Sequence, residues 1–166
     1  MSGIVCLVPA RGNSKGIPRK NLADLCGKPL LVWTIEQARA ADIGPVIVAT
    51  DDPEIAHIAK AHGVVVYDEP ADVAADSISM EDVMRWFLDQ CHERSGSQPE
   101  WLMVLQPTSP LKLAGHIREC AAIAKTNAFD SIISVVRSKY CLWERAQAAK
   151  GKARGELVPK WPQAQP

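Results

Sequence analysis

The segment Pro9-Ala10-Arg11-Gly12-Asn13-Ser14-Lys15-Gly16-Ile17-Pro18-Arg19-Lys20-Asn21-Leu22 concentrates side chains that could do chemistry. Glycines at 12 and 16 let a backbone turn tightly and approach a ligand, so that its N–H groups can face phosphate oxygens. Arg11 and Lys15 add charge at the same place, one as a planar bidentate fork and the other as a mobile point charge. With Arg19 and Lys20 they form a basic cluster, and the first 23 residues hold no acid. Such a loop could hold a triphosphate and offset the charge developing on a pyrophosphate leaving group. A solvated basic loop would have the same composition, so the spacing alone leaves both readings open. Two common phosphate loops do not fit. Gly27-Lys28 is followed by Pro29, with no glycine at 22, so there is no Walker loop. A dinucleotide fingerprint must open a helix, and Pro18 interrupts the segment.

Other reactive side chains have plainer roles. Asp51-Asp52-Pro53-Glu54 at a helix start is N-capping chemistry before it is a metal pair. His57, His62, His92 and His116 fall singly on helical patterns, and Trp33, Trp86 and Trp143 fall in apolar settings. Cys6, Cys26, Cys91, Cys120 and Cys141 are an odd number without ligand spacing, which suits reduced thiols in a cytoplasmic protein. Gln106 ends an apolar run and is followed by Pro107-Thr108-Ser109-Pro110. Two prolines there stiffen the exit and can hold an amide toward a ligand.

The elements that must position these residues alternate along the chain. Ile4 to Val8 is a continuous apolar run of the kind buried on both faces of a parallel sheet. Similar runs recur at Val46–Ala49, Val64–Tyr67, Leu102–Leu105 and Ile132–Val136. Between them, Leu31, Ile35 and Ala38 mark one helix, and Ile55, Ala59 and His62 a second. Met80, Val83, Met84 and Phe87 mark a third, with Asp76 or Ser77 as its N-cap, and Ile117, Ala121 and Ala124 a fourth. The pattern predicts a doubly wound, mostly parallel α/β sheet, with ligands beyond the carboxyl ends of its strands. Two connections are long enough to be functional, Ala10 to Pro29 and Asp68 to Ser77.

The chain has 166 residues, 19 basic and 19 acidic, which fits one soluble domain and no surface built to bind nucleic acid. The balance is uneven: residues 1–50 carry +3, 51–100 carry −9 and 101–166 carry +6. No secretion signal or membrane-length apolar run is present. After Trp143 glycine and proline accumulate, and a weakly structured tail is expected.

The strings ARGNSKGIPRKNL and GKPLLVWTIEQA resemble the N-terminal signature of the CMP-N-acylneuraminate (CMP-sialic acid) synthetase family of cytidylyltransferases. The likeness continues through VIVATDDPEIAHIAKAHGVVV, PADVAADSIS and LQPTSPLK and fades near Ser138. It implies a Rossmann-like fold of the nucleotide-diphospho-sugar transferase type. It also implies CTP and a nine-carbon keto-sugar acid as substrates, Mg²⁺ as cofactor, and a homodimer in the full-length form. In the implied reaction the anomeric hydroxyl attacks the α-phosphorus in line and pyrophosphate leaves.

By the same resemblance Arg11, Lys15 and Lys20 contact the phosphates as the catalytic cations. Ala10, Gly12, Asn21 and Ser79 join Arg11 and Lys15 at the nucleotide, and Gln106 meets the sugar acid. Ser79 and Asn21 have structural alternatives as cap or turn residues, and Lys112 reads as loop charge. Glu69 departs from the pattern, since many relatives place arginine before the proline of Pro70-Ala71-Asp72, and a carboxylate cannot replace a guanidinium donor. The expected division is a nucleotide-binding domain over 1–137 and the poorly ordered start of a dimerisation region over 138–166. The metal-binding aspartates of the family are expected beyond the last residue, so the chain should bind CTP with weak or no turnover. Enzymes activating ketodeoxyoctonate, legionaminic or pseudaminic acid share parts of the pattern, and a non-catalytic nucleotide-binding remnant is the reading outside catalysis.

Overall fold

In the computed structural model, residues 3–14, 16–75, 77–126 and 129–135 are described, together with the backbone of two later strands. In chain order the elements are β1 (Ile4–Pro9), a 3-10 turn (Lys20–Leu22), β2 (Asp24–Leu25), β3 (Lys28–Pro29), α1 (Leu30–Ala41), β4 (Val46–Thr50) and α2 (Pro53–Ala61). Then come β5 (Val65–Asp68), α3 (Met80–Ser95), β6 (Trp101–Val104), α4 (Ala114–Ala124), β7 (Trp143–Arg145) and β8 (Leu157–Pro159). They fall into two compact units, Met1–Ile132 and Ile133–Pro166. The second unit contains β7 and β8, paired antiparallel. The expected tail over 138–166 otherwise lies outside the described residues.

The first unit is built on a parallel sheet in the order β5-β4-β1-β6. β1 is central because both its faces are apolar: Cys6 and Val8 point into one core and Val5 and Leu7 into the other. The first core packs them against Leu31 and Ile35 of α1, Ile55 and Ala59 of α2, and Ile117 of α4. The second packs them against Phe87 and Cys91 of α3, with Tyr67 of β5 between. Helices thus cover both faces, as the alternating pattern predicts.

Each helix starts and stops on local chemistry. Asp52 caps α2, accepting hydrogen bonds from the amides of Glu54 (2.9 Å) and Ile55 (3.1 Å), with Pro53 next. The N-cap of α3 is Ser79, whose Oγ accepts from the Asp82 amide, rather than Asp76 or Ser77; α3 ends at Gly96 in the left-handed region. α1 begins after Pro29 and ends at Asp42 with a left-handed φ of 51°.

One expected element does not form. Residues Ile132 to Val135 take no strand conformation, and Ile133 and Val135 are 81% and 88% exposed. A strand exists through its ladder, and an apolar run without a paired neighbour does not specify one. No helix among the described residues is long and apolar enough to cross a membrane.

Entry into β4 depends on a close approach. A Cβ at Gly44 would stand 2.0 Å from the Ile4 carbonyl oxygen, and the next residue's carbonyl accepts from the Cys6 amide at 2.9 Å. Gly44→Ala is therefore expected to force β1 and β4 apart and to cost at least about 1–3 kcal/mol, the range for overpacked sites. Urea denaturation measures this directly, and a loss under about 0.5 kcal/mol, as for an ordinary surface substitution, would contradict it.

Candidate active site

The two long connections and the exit of β6 meet beyond the carboxyl ends of the strands, around a cleft of about 310 Å³. Parallel strands deliver all such connections to one end of the sheet, which is why residues nearly 100 positions apart in sequence converge there. Arg11, Ser14, Lys20 and Asn21 form a polar wall from the loop after β1. Val73, Ala74, Ala75, Ile78, Met80 and Val83 form an apolar wall from the loop after β5 and the start of α3. Gln106, Pro107 and Thr108 close a third side, and Glu69 lies between. A second hollow of similar volume, lined by Glu100, Trp101, Phe129 and Asp130, gathers acids and aromatics with no cation, so it lacks the chemistry of the first.

Carboxylates hold the polar wall in shape. Asp51, just past β4, accepts a hydrogen bond from the Gly12 amide at 2.7 Å. Asp52, besides capping α2, pairs with Arg19 at 2.8 Å, and Glu54 meets the same guanidinium at 3.0 Å. Asn21 is 5% exposed and donates through Nδ2 to the Arg11 carbonyl at 2.9 Å, closing the loop on itself. A Cβ at Gly12 would meet Asp52 Oδ2 at 2.7 Å, so this glycine admits carboxylates of its own chain.

The sequence-based assignments divide accordingly. Arg11, Lys20, Asn21 and Gln106 line the cleft. Ala10 does not: it is fully buried and its amide donates to the Ala49 carbonyl at 2.9 Å. The Gly12 amide, expected to face phosphate, is taken by Asp51. Ser79 stays out of the cleft lining, with its hydroxyl on the amide and carboxylate of Asp82. Its neighbours Ile78 and Met80 line the cleft instead. Arg19, part of the basic cluster, is engaged by Asp52 and Glu54. Lys15 lies outside the described residues.

Glu69 has more weight than its sequence position suggested. It is 7% exposed, its amide donates to the Thr50 carbonyl at 2.9 Å, and its carboxyl is pushed up to about 7. Burial is the main cause; the Asp51 charge acts in the same direction and the Arg11 guanidinium opposes it. Ser14 and the apolar wall also went unassigned in the sequence, because small and aliphatic residues carry no signal until the fold brings them together.

A divalent cation finds no home among the described residues. They contain no group of three His, Cys, Asp or Glu side chains arranged to hold one. Asp51 and Asp52, the nearest acidic pair, are bonded to Gly12, Arg19 and the first amides of α2.

Residues 5–139 match the family model described as Cytidylyltransferase. The chain is 35% identical over 141 residues to N-acylneuraminate cytidylyltransferase B of Danio rerio, covering 85% of this chain and 32% of that protein. It is 34% identical over 137 residues to the N-acylneuraminate cytidylyltransferase of Escherichia coli O18:K1:H7, covering 81% and 32%. The chain thus spans about a third of the length of these relatives. In fold it is similar to a CMP:2-keto-3-deoxy-manno-octonic acid synthetase solved with CTP, with a TM-score of 0.61 and 21% identity over 75% of this chain and 48% of that one. It is also similar to Rv0371c of Mycobacterium tuberculosis H37Rv, solved with manganese, with a TM-score of 0.53 and 15% identity over 75% and 61%. The Rossmann-like sheet, the order of its motifs and the match over most of its length agree: this chain belongs to the cytidylyltransferase family.

Proposed function

We propose that this chain forms the nucleotide-binding part of an enzyme that joins CTP to a sialic-type sugar acid, giving the CMP-sugar and pyrophosphate. One observation carries the reading: a cleft at the carboxyl ends of the strands with Arg11 and Lys20 on one wall and an apolar wall opposite. Phosphates need the first and a planar base suits the second. The relatives named N-acylneuraminate cytidylyltransferase, at 34–35% identity, support the sugar-acid class.

In the reaction an anomeric hydroxyl oxygen bonds to the α-phosphorus, the bond to the bridging oxygen breaks, and pyrophosphate departs with the electron pair. Arg11 and Lys20 would fix the phosphates and neutralise the leaving group, a contribution of positioning and charge rather than of covalent chemistry. Asn21 holds the Arg11 carbonyl and so orients that wall. Gln106 would present an amide, both donor and acceptor, to the sugar acid. Because the described carboxylates form no cation site, no step here runs through a metal.

Calorimetry with CTP and GTP tests the reading. CTP should bind in preference, and Arg11→Ala should weaken it about 10- to 100-fold, as expected for losing charged hydrogen bonds of about 1.5–3 kcal/mol. Equal or absent binding of both nucleotides would overturn it.

Glu69 adds a pH dependence whose sign follows from its raised pKa of about 7. Below that value the carboxyl is neutral, and above it a carboxylate faces Arg11 and the incoming phosphates. CTP affinity relative to Glu69→Gln should therefore fall as pH rises from 6 to 8, the comparison cancelling ionisation of the nucleotide itself. Stability follows the same proton. Between its ordinary 4.5 and about 7 the folded chain keeps a proton that the unfolded chain has lost, so wild-type stability falls across that window. Denaturation of the two proteins at pH 4.5 and 7.5 checks this; a constant difference would show that Glu69 does not titrate there.

A further inference from the structure

One side of the cleft has little to hold it. Leu105-Gln106-Pro107-Thr108-Ser109-Pro110-Leu111-Lys112-Leu113 joins β6 to α4 without helix or strand, and its two prolines have no N–H to donate. The Leu105 amide still bonds to the Leu7 carbonyl at 2.8 Å, continuing the ladder of the sheet. Beyond it the Gln106 carbonyl is the anchor, accepting from the Ser109 amide at 3.2 Å and from Lys112 Nζ at 2.7 Å. The same ammonium donates to Thr34 Oγ1 at 3.1 Å, and Thr34 is fully buried in α1.

This arrangement is more than a charge on a loop. Lys112 is partly buried, and burial lowers its pKa to about 8, with no charged group listed among the causes. The charged and titratable residues on the elements beside it are engaged elsewhere: Glu36 with Lys28, Arg39 with the His62 carbonyl, Arg118 with the Ala40 carbonyl, and His116 with the Leu113 amide. An ammonium kept from water without an acid is stabilised by the oxygens to which it donates. Those oxygens belong to α1 and to the residue whose side chain lines the cleft. Docking of α4 has its own bonds, from the Ala114 amide to Gln37 Oε1 at 2.8 Å and from Arg118 to the Ala40 carbonyl at 2.9 Å. Losing the ammonium would therefore release the turn without releasing the helix.

We infer that Lys112 is a positioning residue of the cleft: anchored on Thr34, its ammonium holds the Gln106 carbonyl and thereby sets how the Gln106 side chain meets the ligand. The inference rests on the proposed function only for what that ligand is. The test is nuclear magnetic resonance of the ¹⁵N-labelled chain without ligand, following the Gln106 side-chain amide and the Thr108 and Ser109 backbone amides from pH 6.5 to 9.5. In wild type these signals should move together with a midpoint near 8. Lys112→Arg, which keeps its charge throughout, should hold them near their low-pH positions. Lys112→Met should shift them at every pH, while the α4 amides stay where they were. Wild-type signals that ignore pH, or a Lys112→Arg protein that titrates like wild type, would overturn the inference even if Lys112→Met failed to fold. Absence of CTP binding would defeat the proposed function and leave this result readable.

Discussion

The cleft depends on one contact, the hydrogen bond from the Gly12 amide to Asp51 at 2.7 Å. Between Pro9 and Lys20 the chain has no repeating structure to hold it, and fixing each residue's backbone costs about 1–2 kcal/mol. Carboxylates at the exit of β4 offset part of that cost. Asp51 takes the amide near the start of the loop, Asp52 takes Arg19 near its end, and Asn21 ties the end to the Arg11 carbonyl. Because Pro9 pairs with Ala49, the sheet register brings the two acids beside the loop. The contact also sorts the cations: Arg19 is committed to the scaffold, while Arg11 and Lys20 line the cleft.

The register is set in turn by burial on both sides of β1. Val5 and Leu7 face the core under α3, and Cys6 and Val8 face the core under α1, α2 and α4. A slip of one residue would exchange the two sets and move Pro9 and Arg11 relative to the exit of β4. The sheet order places β4 on one side of β1 and β6 on the other, so the connections diverge at the end where the cleft opens. Core packing and ligand geometry are thus linked through the same six residues.

The four parallel strands and four helices were legible in the sequence because each carries a period or an apolar run long enough to declare itself. Ile132–Val136 carries such a run too, but pairing is a property of two segments, and composition does not reveal the partner. At the site, Arg11, Lys20, Asn21 and Gln106 were legible from residue type and the motif around them. The Asp51–Gly12 bond was not, since it joins residues 39 apart and depends on which strands are neighbours. Reading Asp51-Asp52 as capping chemistry was right for Asp52 and incomplete for Asp51. Lys112 was hidden for a similar reason: its partner Thr34 is 78 residues away, and an unpaired lysine in a polar loop looks like solvent-facing charge.

Neutrality of the whole chain says little about this cleft, where charge is arranged over a few ångströms. Glu69 is a buried carboxyl among cations that a phosphate would also seek. Burial alone would favour its neutral form, Asp51 adds to that tendency, and Arg11 draws it back toward the carboxylate. An anion arriving at Arg11 offsets the charge that favours ionisation, so binding and protonation of Glu69 should assist each other. Where many family members carry arginine, this chain has replaced a fixed donor with a group whose charge responds to the occupant. The cost is a weaker positive field in the empty cleft, and the consequence is a site whose charge depends on whether it is filled.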